Sequence, residues 1–244
     1  MTSLFKTVCV LLIASQIFAC TCLATINGSP DSTSDCANDV SLGVLRSVDG
    51  QCVQYPDIAE GLLERFKLEQ DVRNDFGEAQ RRLGLAGTDM GAKQREYPIL
   101  GRTLTEDARV MGDIDRANQE WIKDVLARIQ WPSKSKVGKR AAHAAWSIVQ
   151  HADNDIALQK RALELMTAER SDVDNEDFAY LTDRILNNLG EPQVYGMMPM
   201  RNASGELVAK PVIDPANVDK RRAEIGLMSL SEYIRRLNEP KKAK

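Results

Sequence analysis

From Pro56 to Leu189, apolar residues return every three to four positions, and Gly or Pro stops three of the five runs, a period that suits helices and not sheets. Ile58, Leu62, Phe66, Val72, Phe76, Ala79 and Leu83 form one stripe that opens at Pro56-Asp57 and stops at Gly84. Residues 84–103 carry several glycines and Pro98 and read as a loop. Thr105 followed by Glu106 and Asp107 has the form of a cap for a second helix, which carries Met111, Ile114, Trp121, Ile122, Val125 and Ile129 and ends at Trp131-Pro132. A third helix is expected from about Lys136 to Ala152, a fourth from Ile156 to Ala168, and a fifth from Glu176 to Leu189. Asn175 is placed to cap the fifth, and Gly190 with Pro192 ends it.

The pattern changes at the two ends. Residues 25–55 are rich in Gly, Ser, Asp and Asn and predict an irregular arm, with room for a short strand, outside the core. Between residues 193 and 213, Gln193-Val194-Tyr195 and Leu207-Val208 flank the turn-rich Asn202-Ala203-Ser204-Gly205, which suggests a small hairpin. A short helix from about Ala216 to Ile225 follows, then a last one from Leu230 to Leu237, where Ser229 and Glu232 form a capping-box pattern. The expected fold is mainly α: one helical-bundle-like domain over 56–239 with a small β-hairpin, an irregular N-terminal arm and a basic tail at 240–244. With 43% hydrophobic residues there is material for such a core.

Lys6, the apolar run Val8 to Ala19 and the small residues after it have the order of a secretory signal over residues 1–24. The run is short for a membrane span. Two processing routes stay open. Cleavage after Ala24 gives a periplasmic or secreted chain; cleavage before Cys20, in Ile17-Phe18-Ala19-Cys20, gives a lipoprotein held to the membrane at that cysteine. The first route leaves Cys36 and Cys52, an even pair that suggests a disulfide in an oxidising compartment, or two unpaired thiols. A formal charge of −3, from 32 basic against 35 acidic side chains, argues against nucleic-acid binding.

Short motifs exclude some chemistry. Gly138-Lys139-Arg140 lacks the leading glycine and the Ser/Thr of a phosphate loop, and GxSxG, HExxH, GxGxxG and CxxC are absent. His143 and His151 lie eight residues apart, about 12 Å along one intact helix, so they cannot share a zinc ion, and no metal or cofactor is expected. Val137, Ala141, Ala144, Ala145, Ile148 and Ala152 form the apolar arc of that helix, with His151 at its edge and His143, Trp146 and Gln150 opposite. Ser133, Lys134, Ser135, Lys136, Lys139 and Arg140 crowd the helix start, either as a solvated basic loop or as an anion subsite. On the fifth helix, Tyr180, Asp183 and Asn187 share a polar face expected to be exposed.

Several segments read together as a pattern: Trp131-Pro132, Val137-Gly138, Ala141 through Trp146 to Gln150-His151-Ala152-Asp153, then Leu181-Thr182-Asp183-Arg184 and Gly190-Glu191-Pro192-Gln193-Val194-Tyr195-Gly196. With Arg221-Arg222 and Gly226-Leu227, this order resembles an uncharacterised bacterial domain-of-unknown-function family with a QHAD helix, a DR helix and a GxPQxYG turn, over roughly Ile114 to Tyr233. The resemblance implies one cooperative domain and supplies no activity to carry over. It singles out Gln150, His151, Asp183, Arg184, Gln193, Tyr195 and Arg222 as polar residues that the helical pattern leaves unexplained. Relatives continue the turn with Thr-Gln where this chain has Met197-Met198, so any ligand role of that pair would be lost or changed here.

Two functions follow as expectations. In the first, a non-catalytic exported domain binds a small molecule or a protein, and the polar cluster orders the hairpin against the QHAD helix. In the second, a hydrolase uses His151 as general base or acid, Asp183 to orient it and Arg184 or Arg222 to hold an anionic group, with Gln150, Gln193 and Tyr195 lining the ligand site.

Overall fold

Two long helices carry the frame: α1 (Pro56–Arg82) and α2 (Pro98–Ile129) pack against each other. The structure, a computed structural model, describes residues 46–82 and 98–239, which all fall in one compact unit. Gly61 of α1 lets the indole of Trp121 approach closely; an added Cβ would stand 3.0 Å from Trp121 Cζ2. Arg65 then lies over the same indole, 4.6 Å from its centroid, as a cation–π contact.

After α2 come the one-turn helix α3 (Lys134–Val137), α4 (Lys139–Gln150), α5 (Ile156–Ala168) and α6 (Asn175–Asn188). Helix α4 is the central element, packed against α1, α2 and α6. Its alanines at 141, 144 and 145 are buried with Ile148 and Val149 against Leu62, Ile122 and Val125, and small side chains let the helices close up. Apolar burial of this kind is the main favourable contribution to the fold.

The expected third helix is divided. Gly138 has φ +86, and a Cβ there would meet Gln51 Oε1 at 2.9 Å and Val53 Cγ1 at 3.3 Å. The two residues belong to a hairpin, β1 (Arg46–Val48) paired antiparallel with β2 (Gln51–Val53) around Asp49-Gly50. Gln51 Oε1 accepts a 2.7 Å hydrogen bond from the Lys139 backbone N–H and so replaces the missing cap of α4. For the described residues 46–55 this corrects the expectation of an arm outside the core, because Val48 and Val53 are both buried in it. Cys52 lies on β2, whereas Cys36, the 1–24 leader, Cys20 and the 240–244 tail lie outside the described residues.

Two caps also differ from expectation. Helix α2 already runs from Pro98, so Thr105 is interior to it; Pro98 as first residue has the fixed φ that suits a helix start. Helix α6 is capped by Asp174, not Asn175, through bonds from the N–H groups of Glu176 and Asp177.

The C-terminal part is built on the end of α6. The observed hairpin pairs β3 (Met200–Arg201) with β4 (Leu207–Val208), while Gln193 forms a single bridge to Val212 and is not a strand of it. Helices α7 (Val218–Glu224) and α8 (Leu230–Asn238) close the chain, with Ser229 accepting from the Glu232 N–H as the capping pattern requires. Among the described residues no helix is long and apolar enough to cross a membrane.

Candidate functional site

The polar residues singled out from the sequence separate into three groups, and the first is a clasp around the turn after α6. Asp183 is fully buried. Its carboxylate accepts from the backbone N–H groups of Val194 at 2.7 Å, Tyr195 at 3.1 Å and Met197 at 2.8 Å. Burial pushes its carboxyl above the ordinary value, and these N–H groups oppose the rise without cancelling it. Gln193, also buried, grips Met198 twice: Nε2 donates to its carbonyl and Oε1 accepts from its N–H, both at 2.8 Å. Arg222, 1% exposed, donates to the carbonyls of Tyr195 and Met228 at 2.6 Å each, and its guanidinium lies 5.0 Å from the Tyr233 ring centroid.

Asp183, Gln193 and Arg222 thus spend their hydrogen-bonding capacity on the backbone of residues 194–198 and 228. The Asp183 face of α6 is covered, not exposed as its polar stripe suggested, because the turn folds back over it. The clasp bonds to the backbone of Met197 and Met198, so Thr-Gln is not needed at those positions to make it.

The second group surrounds the end of α4. Gln150 is buried, and its carbonyl accepts from Gln159 Nε2 at 3.3 Å. Arg184 forms a two-pronged pair with Asp153, at 2.8 and 2.6 Å, joined by Asn188 Nδ2 at 2.8 Å. His151 is the C-cap of α4. Its Nδ1 bonds Glu69 of α1 and not Asp183, so the expected His151–Asp183 dyad is corrected: each of the two is engaged elsewhere. Arg73 bridges from Glu69 Oε1 at 3.0 Å to Asp115 Oδ1 of α2 at 2.7 Å. Burial pushes the Glu69 carboxyl up, but the bonds from His151 and Arg73 outweigh it and leave it below the ordinary value. Burial pushes Asp115 up, with Arg73 opposing.

The third group lines a cavity of about 390 Å³ beside α1, α4 and the start of α6. Leu63, Phe66, Trp131 and Met166 supply apolar walls, and Lys134, Lys139 and Arg140 supply cations. Into it faces His143, whose Nδ1–H lies 2.9 Å from Asp177 Oδ1. The imidazole stacks on Trp146 with centroids 4.8 Å apart and meets the edge of Phe66 at 5.9 Å, so packing on two sides fixes its plane. The basic segment is therefore not a solvated loop throughout. Lys136 is drawn inward to Glu169 at 2.5 Å and to the carbonyls of Ile129 and Trp131, Ser135 holds Asp172, and Arg140 pairs with Asp49.

The bond to Asp177 raises the His143 pKa above its ordinary 6.5, more than burial lowers it. Burial pushes Asp177 up, with His143 opposing. In an NMR titration the His143 ring midpoint is expected above 6.5, and Asp177→Asn is expected to lower it, since burial is then opposed only by the charges of Asp174 and Glu176. A raised folded value means that the stability contributed by His143 is complete below pH 6.5 and is lost as pH rises through that value. Denaturant midpoints should accordingly fall more between pH 6 and 9 in the wild type than in His143→Gln.

Glu69, Arg73, Asp115, His143 and Asp177 were not among the residues that sequence reasoning assigned to a site. A signal for two of them exists: Glu69 is seven residues after Leu62, and Asp115 seven before Ile122, so each carboxylate interrupts a buried apolar stripe. Residues 100–244 match the model of a family described as "Family of unknown function (DUF6624)". No curated protein and no solved structure matches the chain.

Proposed function

This chain belongs to DUF6624, a family of unknown function, and from that premise we propose that it is an exported, non-catalytic binding domain for a small molecule with an apolar body and an anionic group. The observation that carries this reading is His143, fixed by Asp177 and Trp146 in a cavity whose walls are apolar and whose cations are Lys134, Lys139 and Arg140. Apolar walls with a few convergent polar groups are the usual form of a ligand site. Of the acids at the cavity, Asp177 is engaged by His143 and Asp174 by the N–H groups that it caps, and of the cations Arg140 is paired with Asp49; Lys134 and Lys139 against Glu176 then favour an anion over a cation as guest.

Binding is favoured over hydrolysis on two grounds. Among the described residues, those lining the cavity include no serine, threonine or cysteine to act as a covalent nucleophile. A histidine whose pKa is raised is more often protonated at neutral pH, which suits it to holding an anion. The charged start of the sequence at Lys6, with its apolar run, supports export, and a Cys36–Cys52 bridge would then tie the N-terminal arm to β2.

Anilinonaphthalene sulfonate, which is apolar and anionic, is the probe for this reading. One equivalent is expected to bind the folded chain. Lys139→Glu and His143→Ala should each weaken binding by about tenfold, roughly the effect of one charged contact, with the circular dichroism spectrum unchanged. Equal binding by wild type and both variants would overturn the assignment.

A further inference from the structure

A second site, separate from the cavity, is formed where three helices bring Glu69, Asp115 and His151 together. Each of these side chains offers one donor atom, and the three atoms lie within 4.8 Å of one another. Arg73 occupies only one oxygen of each carboxylate, Glu69 Oε1 and Asp115 Oδ1. The other oxygen of Glu69, Oε2, is buried on a side chain only 1% exposed and has no hydrogen-bond partner. An ionised oxygen in that position is costly to leave unmatched, because burial removes the water that would otherwise serve it.

We propose that Glu69, Asp115 and His151 hold one divalent transition-metal ion, zinc fitting the donor set best. Two carboxylates and one imidazole are an oxygen–nitrogen set with a position left for water. Ligand atoms about 2.0–2.2 Å from a common ion stand roughly 3–4 Å apart, so closing a 4.8 Å span takes only small side-chain shifts. Arg73 then has the role that a hydrogen-bond donor has behind many ligating carboxylates: it fixes their orientation through the oxygens that the ion does not use. The side chains of His151 and Asp115 are 19% and 20% exposed, which gives the ion a path from solvent.

The test is calorimetric titration of zinc chloride into the chelator-treated full chain, with unfolding followed in parallel. One equivalent is expected to bind, and a hundredfold excess over the dissociation constant should raise Tm by about 5–10 °C. Asp115→Asn and His151→Gln should each weaken binding at least tenfold, while His143→Gln leaves it unchanged. X-ray absorption at the zinc edge supplies a readout that does not depend on variant folding: one imidazole with oxygen ligands is expected. No saturable binding, a sulfur ligand, or loss of binding in His143→Gln with retention in Asp115→Asn would each overturn the proposal.

Discussion

Asp183→Ala is expected to lower Tm by on the order of 10 °C without removing the helical signal. The buried carboxylate serves three backbone N–H groups, those of Val194 and Tyr195, which are partly buried, and that of Met197, which is buried. Each buried donor left unmatched costs about 1–3 kcal/mol, so the loss is about 3–5 kcal/mol after partial relaxation. In a domain of this size each kcal/mol is worth roughly 2–4 °C. Asp183→Asn separates charge from shape: its amide oxygen can still accept from Val194 or Tyr195, but its NH2 group then faces a donor. An intermediate loss is expected. A thermal scan of the two variants in which neither moves by more than about 2 °C would show that the turn does not depend on this residue.

Arg222→Leu is the second large effect, a loss of about 2–4 kcal/mol, because the partly buried carbonyls of Tyr195 and Met228 lose a charged donor. Lysine cannot rescue it fully, since an ammonium lacks the planar fork that reaches both oxygens. The peptide groups of Tyr195 link the two predictions: its N–H bonds Asp183 and its carbonyl bonds Arg222. Once one partner is gone the turn loosens, so the double variant should lose less than the sum of the single losses. Strict additivity in denaturant unfolding would mean that the two residues hold separate structures. The clasp is thus read as architecture, with its side chains bonded to the backbone of the turn. Its partners are α6, the turn and α7, and not the QHAD helix.

What could be read from the residues follows the range of the forces involved. The stripe from Ile58 to Phe76 and the alanine arc of α4 were legible because periodicity alone dictates which face is buried. The break at Gly138 was not: the helical pattern runs through it, and the constraint comes from Gln51 and Val53, more than 80 residues earlier in the chain. Thr105-Glu106-Asp107 has the composition of a helix start, but the helix had already begun at Pro98, and local propensity yields to that continuation. His151 was picked out with the wrong partner, because nothing in the spacing of Asp183 shows that a turn ten residues downstream will claim it. His143 was legible as the residue opposite the alanine arc, yet its pairing with Asp177 depends on how α4 meets α6.

The central claim is that the cavity at His143 receives the ligand, while Asp183, Gln193 and Arg222 hold the turn. Amide chemical-shift mapping of the isotope-labelled chain during titration with anilinonaphthalene sulfonate tests both halves at once. Saturating shifts are expected at Phe66, Lys139, His143 and Asp177, with Tyr195, Met197 and Arg222 unmoved. Shifts centred on residues 194–198 and Arg222, with His143 and Asp177 silent, would contradict it and make the clasp the binding site.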